Sequence, residues 1–398
     1  SAQGKSAIAI IRVSGPFAYK AVKSISTNMP KKTNQASLNN IVEPTGPIID
    51  QTITTYFKSP KSYTGEDMVE ITTHGSNAVI KKITNVLSKI KNLRMADPGE
   101  FTRRAFENNK LDLTQVEAIA DIINAETEMQ RKQSIEHLSG SFFSSSKKIF
   151  ESLKKILANI EATIDFSEED LPKNILKTIK EQTKNNIKII DTILSGANRG
   201  LSIRDGYVVG VIGKPNTGKS SFINNISGKE IAIVTNKPGT TRDVLESYID
   251  LKGLPVRFYD TAGIRNSNNK TEKIGIEKSI KIAERSDLNL IFIEKISEIG
   301  FFKKIPNKIF VQSKLDLRKK PIKKRGVFNI SSKNSKGVQR LLSEISLYLR
   351  KKGIIENAFI SRERQKSHII NSIKFIEKAL NNKKYDIMAE DVRSSLLE

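Results

Sequence analysis

The sequence contains no cysteine and only 3 histidines among its 398 residues. The first absence excludes disulfides, thiolate metal sites and a thiol nucleophile in this chain, and it fits a reducing cytosol. The second leaves little from which to build a zinc centre. No apolar run approaches the roughly 20 residues that a membrane helix needs. The early apolar stretch Ala7–Ile11 stops at Arg12 and reads as a buried strand, not a signal peptide. The first residue is Ser1 and not Met, so a trimmed or incomplete start is expected.

What is present is a soluble globular composition, 37% hydrophobic and 28% charged, in a chain long enough for two or three domains with separate cores. The formal net charge is +24. Two readings of it stand side by side. One is a polyanionic partner such as RNA. The other is a Lys-, Ile- and Asn-rich composition of the kind an AT-rich genome produces, whose diffuse lysines give only sequence-independent attraction to phosphate.

Residues 1–108 mix strand-like runs (AIAIIRV, TITTYF, MVEITTH) with breaks at SGP, EPTGP and DPGE. A helix is expected from about Ser76 to Ile90, where apolar residues recur at helical spacing. Helices dominate residues 109–204. Val116, Ile119, Ala120 and Ile123 share one face, and Ile149, Leu153, Ile156, Leu157, Ile160 and Ile164 form a longer stripe; both read as helix-bundle core. From Tyr207 to about Lys352, short apolar strands (YVVGVI, VRFYD, LNLIFI, KIFVQS) alternate with helical segments, the pattern of a doubly wound α/β sheet. Helical spacing returns over 353–398 with Ile369, Ile370, Ile373, Ile376 and Leu380. The expected architecture is an α+β N-terminal domain at 1–108 and a helical domain at 109–204 and 353–398. An α/β domain with a Ras-like doubly wound sheet, at 205–352, is inserted into the helical one.

Gly213 to Ser220 matches G-x-x-x-x-G-K-S between a strand and a helix, the setting a phosphate loop requires. Its glycines let backbone N–H groups approach phosphate oxygens, and the helix N-terminus adds positive potential. Lys219 is expected on the β- and γ-phosphates and the Ser220 hydroxyl on Mg²⁺, with Thr217, Gly218 and Ser221 lining the loop. Asp260 opens DTAG at a strand end, where it can hold Mg²⁺ through water; Thr261 and Ala262 follow, and the Gly263 N–H faces the γ-phosphate. Thr241, in GTTRD, is a second candidate Mg²⁺ ligand. In SKLD, Asp316 can accept from both N1–H and N2–H₂ of guanine, while Lys314 packs along the base. Guanine sites usually carry Asn where this chain has the shorter Ser313. Ser331, Ser332 and Lys333, in ISSK, would offer backbone to the base oxygen. The order and spacing of these motifs favour GTP over ATP.

With these residues in place, the chain resembles the MnmE (TrmE) family of bacterial tRNA-modifying GTPases over essentially its whole length. GKPNTGKSS, IVTNKPGTTRDV, DTAGIR and EKIGIEKS are similar to its GTPase segment. YTGEDMVEITTHG, DPGEFTRRAFENNKLDLTQVEAIADII and TIDF are similar to its folate-binding and helical parts. The resemblance implies a tetrahydrofolate-binding N-terminal domain that forms a homodimer. It implies an FAD-containing partner of the MnmG type in a heterotetramer, with FAD entering only through that partner. It also implies aminomethyl-type modification of the tRNA wobble uridine from a 5-formyl- or methylene-tetrahydrofolate unit, in the cytoplasm.

The resemblance further gives Asn216 a role in binding K⁺, which takes the place of an arginine finger beside the phosphates. Thr235, Lys237 and Thr240 are the other implied K⁺ ligands, the first two through backbone carbonyls, in a loop that also holds Asn236, Pro238 and Gly239. Without that loop, Asn216 reads as a local turn or capping residue. Glu272 matches the glutamate that orients water, since Ile264 after DTAG cannot; by itself it reads as a solvated helix-start residue. Arg12, Glu70 and Lys110 match folate contacts, although from sequence alone Arg12 and Glu70 read as surface strand positions. His74, in a THGS turn, reads as structural.

Two departures stand out. The family ends in a C-x-G-K tail, and this sequence stops at Glu398 with no cysteine. The readings are truncation and a variant without modification activity; the mid-helix stop and the Ser1 start favour the first. GTP hydrolysis is expected to survive and modification by these 398 residues to fail. The stretch EKISEIGFFKKIPNKIF is also shorter than the family pattern, which would weaken contacts between GTPase domains. The competing function is an RNA-binding ribosome-assembly GTPase of the Era or Der kind, which would carry a KH-like or second GTPase domain. A guanine-nucleotide scaffold without turnover would require the loss of Lys219, Asp260 or Glu272.

Overall fold

A computed structural model describes residues 5–44, 46–165, 175–228, 246–260, 283–318, 320–351 and 360–398. The chain divides into two compact units, Ser1–Glu117 and Ala118–Glu398.

The first unit contains β1 (Ser6–Ser14), α1 (Ala18–Ser24), β2 (Ala36–Val42), β3 (Ile48–Phe57), β4 (Met68–Gly75), α2 (Asn77–Ser88) and α3 (Glu100–Glu107). Its strands form an antiparallel sheet in the order β1-β4-β3-β2. Strand side chains alternate between faces. On β1, Ala9, Ile11 and Val13 turn inward while Ile8, Ile10 and Arg12 turn outward. Val22 of α1 and Ile83, Val86 and Leu87 of α2 pack with Val69, Ile71 and Ile41 into the core. The helix of Ser76 to Ile90 is present as α2, with Ser76 Oγ accepting from the Val79 N–H at its start. Strand β2 was not expected, because Asn39 and Asn40 are poor strand formers. Burial resolves the conflict: the Asn39 amide donates to Thr54 Oγ1 at 3.2 Å and its oxygen accepts from the Asn28 N–H at 2.9 Å. His74 lies within β4 and not in a turn, and its Nδ1 is 2.8 Å from Asp50 Oδ1.

Helix α4 (Leu113–Ile123) leads into the second unit. There the expected face is corrected. Ala118 is the buried residue, whereas Ala120 is exposed and Ile123 is 77% exposed. Then come α5 (Glu128–Leu138), α6 (Ser141–Asp165), α7 (Ile175–Ser195) and α8 (Ala197–Asp205). A six-stranded sheet follows, built from β5 (Tyr207–Gly213), β6 (Glu246–Leu251), β7 (Leu254–Asp260), β8 (Leu288–Phe292), β9 (Lys308–Gln312) and β10 (Val327–Asn329), with α9 (Lys219–Ser227) and α10 (Val338–Lys351). Its order is β10-β9-β8-β5-β7-β6, parallel except for β6. The four expected strands are present; β6 and the three-residue β10 extend the two edges. The chain closes with α11 (Glu363–Asn381) and α12 (Tyr385–Leu397).

The helices before and after the sheet share one core. Leu153, Ile156 and Ile160 of α6 and Ile179 and Ile190 of α7 pack with Ile373 and Ile376 of α11 and Met388 and Val392 of α12. Ile164, at the end of the expected stripe, is instead exposed. A core built from two segments on either side of an independent sheet is what an insertion produces. Helix α5 bridges the two parts: the Met129 N–H donates to Gly253 O at 3.2 Å, and Gln130 Nε2 donates to Tyr248 Oη at 2.7 Å and Arg204 O at 3.0 Å.

Candidate functional site

The phosphate loop joins β5 to α9. Its bounding glycines are required by geometry. Gly213 has φ +154°, and a Cβ there would lie 2.5 Å from the Phe292 carbonyl oxygen; Gly218 has φ +90° and no room beside Ser313. Between them Asn216 adopts φ 60°, the left-handed region that asparagine tolerates best after glycine, with its side chain exposed. Helix α9 begins after Gly218 with no side-chain cap, so its first N–H groups are available to an anion. Lys219 is buried, and its ammonium donates to Gly213 O at 2.9 Å and Lys214 O at 2.7 Å. Thr217 Oγ1 donates to Lys214 O at 2.8 Å, and Ser221 is exposed in the first turn of α9. Asp260, 0% exposed at the end of β7, accepts from Ser220 Oγ at 2.6 Å. Parallel pairing brings them together, with Val211 of β5 opposite Asp260. A hydroxyl and a carboxylate are oxygen donors of the kind Mg²⁺ takes.

The guanine end forms at the end of β9. Ser313 Oγ donates to the Thr217 carbonyl, and Lys314, at φ 59°, donates to Asn216 O at 2.5 Å. Asp316 Oδ1 accepts from Ser331 Oγ at 2.6 Å. That hydrogen bond is the main reason the Asp316 carboxyl lies below its ordinary value, aided by its own backbone N–H and the charge of Lys333. The residue is thus held ionised, as an acceptor of two base N–H groups must be. The loop carrying Ser331, Ser332 and Lys333 is tied to β9 by the Ile330 N–H on Gln312 O at 2.8 Å.

Two contributors have no motif to announce them. Asn225, on α9, donates to Ser332 O at 2.7 Å and Ser335 Oγ at 3.1 Å, so the phosphate helix supports the guanine loop. Lys214 pairs with Glu298 at 2.8 Å, which lowers the Glu298 carboxyl and raises Lys214. Thr235, Asn236, Lys237, Pro238, Gly239, Thr240, Thr241, Thr261, Ala262, Gly263 and Glu272 lie outside the described residues.

In the first unit, Arg12 and Glu70 are directly opposite in the β1–β4 register and pair at 2.7 Å. The Arg12 guanidinium lies 5.9 Å from the centre of the Tyr63 ring. Lys110 Nζ donates to Pro60 O at 3.0 Å. The segment from Pro60 to Tyr63 therefore links all three expected residues, although Lys110 does not touch the pair. Glu100 was not anticipated. It is 3% exposed and receives Arg94 at 2.6 and 2.8 Å and Arg104 at 2.8 Å, bonds that hold its carboxyl far below the ordinary range. On the same sheet face as Arg12, Ile10, Thr72, Ile53 and Leu38 form one row across all four strands, and its three large apolar members stand exposed.

A glycine-bounded loop on a helix N-terminus, a serine bonded to a buried aspartate beside it and an ionised aspartate following another strand of the same sheet define a P-loop GTPase domain. In chain order it is inserted between helical segments that share one core, and the α+β unit precedes them. Comparison narrows the class. Residues 1–110 match the model of the GTP-binding protein TrmE N-terminus, and residues 113–398 match that of the MnmE helical domain. The tRNA modification GTPase MnmE of Pelagibacter ubique is 42% identical, over 98% of this chain and 91% of that protein. The tRNA modification GTPase MnmE of Ehrlichia chaffeensis is 38% identical, over 99% and 92%. The chain belongs to the MnmE (TrmE) family. Among solved structures, the G domain of the T. maritima FeoB iron transporter is 22% identical. It covers 36% of this chain and 98% of its own, with a TM-score of 0.28.

Proposed function

We propose that this chain hydrolyses GTP and uses that cycle in modifying the wobble uridine of tRNA. The observation that carries the reading is the placement of Lys219, the Ser220–Asp260 pair and Asp316 after strands β5, β7 and β9 of one sheet, with Ser313 and Lys314 bonded to the phosphate loop. Lys219 donates to two neutral carbonyls, and a phosphate oxygen is a stronger, charged acceptor for its ammonium. Asp316, held ionised by Ser331, accepts from the guanine N1–H and N2–H₂, and the loop of Ser331, Ser332 and Lys333 faces the base oxygen. Ser220 and Thr241 would hold Mg²⁺, with Asp260 bonded to Ser220; the ion would supply charge neutralisation at the phosphates. Asn216, with Thr235, Lys237 and Thr240, would hold K⁺, and Glu272 would orient the attacking water.

In the first unit, Arg12, Glu70 and Lys110 would bind a tetrahydrofolate derivative as one-carbon source. The exposed row of Ile10, Ile53 and Leu38 supports a homodimer through this unit. An FAD-containing partner of the MnmG type, a cytoplasmic location and domain limits at 108, 204 and 352 complete the reading. Among the described residues, no helix is long and apolar enough to cross a membrane.

A ribosome-assembly reading has less support, because α11 and α12 complete the bundle core instead of forming a separate RNA-binding domain. The test is mass spectrometry of wobble uridine in the host after deletion of the gene. The reading predicts loss of the modified base, restored by the wild-type gene and not by Lys219→Ala. An unchanged nucleoside profile in the deletion strain would reject the reading.

A further inference from the structure

Ser313 occupies the position where guanine sites usually have asparagine, and the structure shows how its one hydroxyl proton is used. Ser313 is 3% exposed, and its Oγ donates to the Thr217 carbonyl in the phosphate loop. Its own carbonyl is taken by Arg318 Nε at 2.9 Å. The two loops are in close contact at this point: a Cβ on Gly218 would lie 2.5 Å from Ser313 Oγ and 3.1 Å from Ser313 Cβ. A hydroxyl has one hydrogen to donate, whereas a carboxamide has two. Asparagine can hold a loop carbonyl with one N–H and donate the other to the base. Serine must do one or the other.

We propose that Ser313 is a positioning residue that clamps the guanine loop to the phosphate loop and donates nothing to the guanine ring. Its place on the edge of the base leaves N7, an acceptor remote from the N1–H and N2–H₂ edge that Asp316 reads, without a donor from this side chain. Two further ties, Lys314 to Asn216 O at 2.5 Å and Asn225 to Ser332 O at 2.7 Å, share the load, so loss of the clamp weakens binding without abolishing it. The inference rests on the guanine-site reading above.

The test uses the whole chain and measures affinities for GDP, 7-deaza-GDP and ADP by competition with a fluorescent GDP. Wild type should bind 7-deaza-GDP as well as GDP. Ser313→Ala should weaken both by the same factor, about 2- to 10-fold, the weight of one hydrogen bond. Ser313→Thr, which keeps the hydroxyl, should restore both. The proposal is overturned if wild type penalises 7-deaza-GDP and Ser313→Ala removes that penalty, or if Ser313→Ala binds GDP like wild type. A wild type without preference for GDP over ADP would instead sink the guanine-site reading itself, a different outcome from either.

Discussion

The nucleotide site and the outer face of the N-terminal sheet meet water on opposite terms. In the nucleotide site the polar groups are bonded to one another, with one partner of each pair buried: Lys219 to two carbonyls, Ser220 to the buried Asp260, Asp316 to the buried Ser331. On the sheet face, Ile8, Ile10, Ile53 and Leu38 are each close to half exposed or more, beside the Arg12–Glu70 pair. A ligand entering the first site exchanges one set of hydrogen bonds for a stronger, charged set. The second surface would gain mainly by removing apolar area from water, which is why the homodimer is proposed there.

Mutations separate the two. The largest effect is expected at the nucleotide site: Lys219→Ala should lower GTP turnover by about 100-fold or more while leaving the oligomeric state unchanged. Turnover within a few-fold of wild type would remove Lys219 from the chemistry. On the sheet face, Ile53→Asp should raise the dimer dissociation constant by at least about tenfold, by placing a charge at the centre of the apolar row. GTP turnover per chain at low protein concentration should not change. Light scattering that shows the same dimer in the variant would move the interface elsewhere. The smallest effect concerns pH. The Asp316 carboxyl lies below its ordinary value because Ser331 donates to its ionised form. Its acceptor role therefore persists as pH falls through the usual carboxylate range and is lost only on reaching the lowered value. Ser331→Ala raises Asp316 back toward that range, so the acid loss of GDP binding should begin at higher pH in a titration from about pH 7 to 4. Coincident acid limbs in the two proteins would contradict this.

The same contrast explains what the sequence made legible. The phosphate loop is fixed by backbone conformation, and only glycine fits at Gly213 and Gly218, so spacing alone locates it. Asp316 and Ser331 are far apart in sequence, yet each sits in a short motif at a strand end. Asn225 has no motif: an asparagine on a helix matters here only because the loop after β10 is brought over it. Glu100 was missed for a similar reason, since a carboxylate at a helix start reads as solvated until Arg94 and Arg104 converge on it. Periodicity located the bundle through Ile156, Ile160, Ile373 and Ile376, but it misplaced the face of α4, where an apolar Ile123 is left exposed. Asparagines concealed β2, because propensity does not see the buried partners that satisfy Asn39. Asn216 is the most instructive case. Its left-handed φ gives a conformational reason for asparagine that is independent of the proposed cation role.

The proposed cation role of Asn216 admits a direct measurement. GTP turnover should be compared in KCl and NaCl at equal ionic strength, for wild type and Asn216→Gly. Glycine keeps the left-handed loop conformation and removes the carboxamide. The account predicts that wild type is at least about tenfold faster in KCl and that the variant loses this difference while still binding GDP. Equal wild-type rates in the two salts would contradict it.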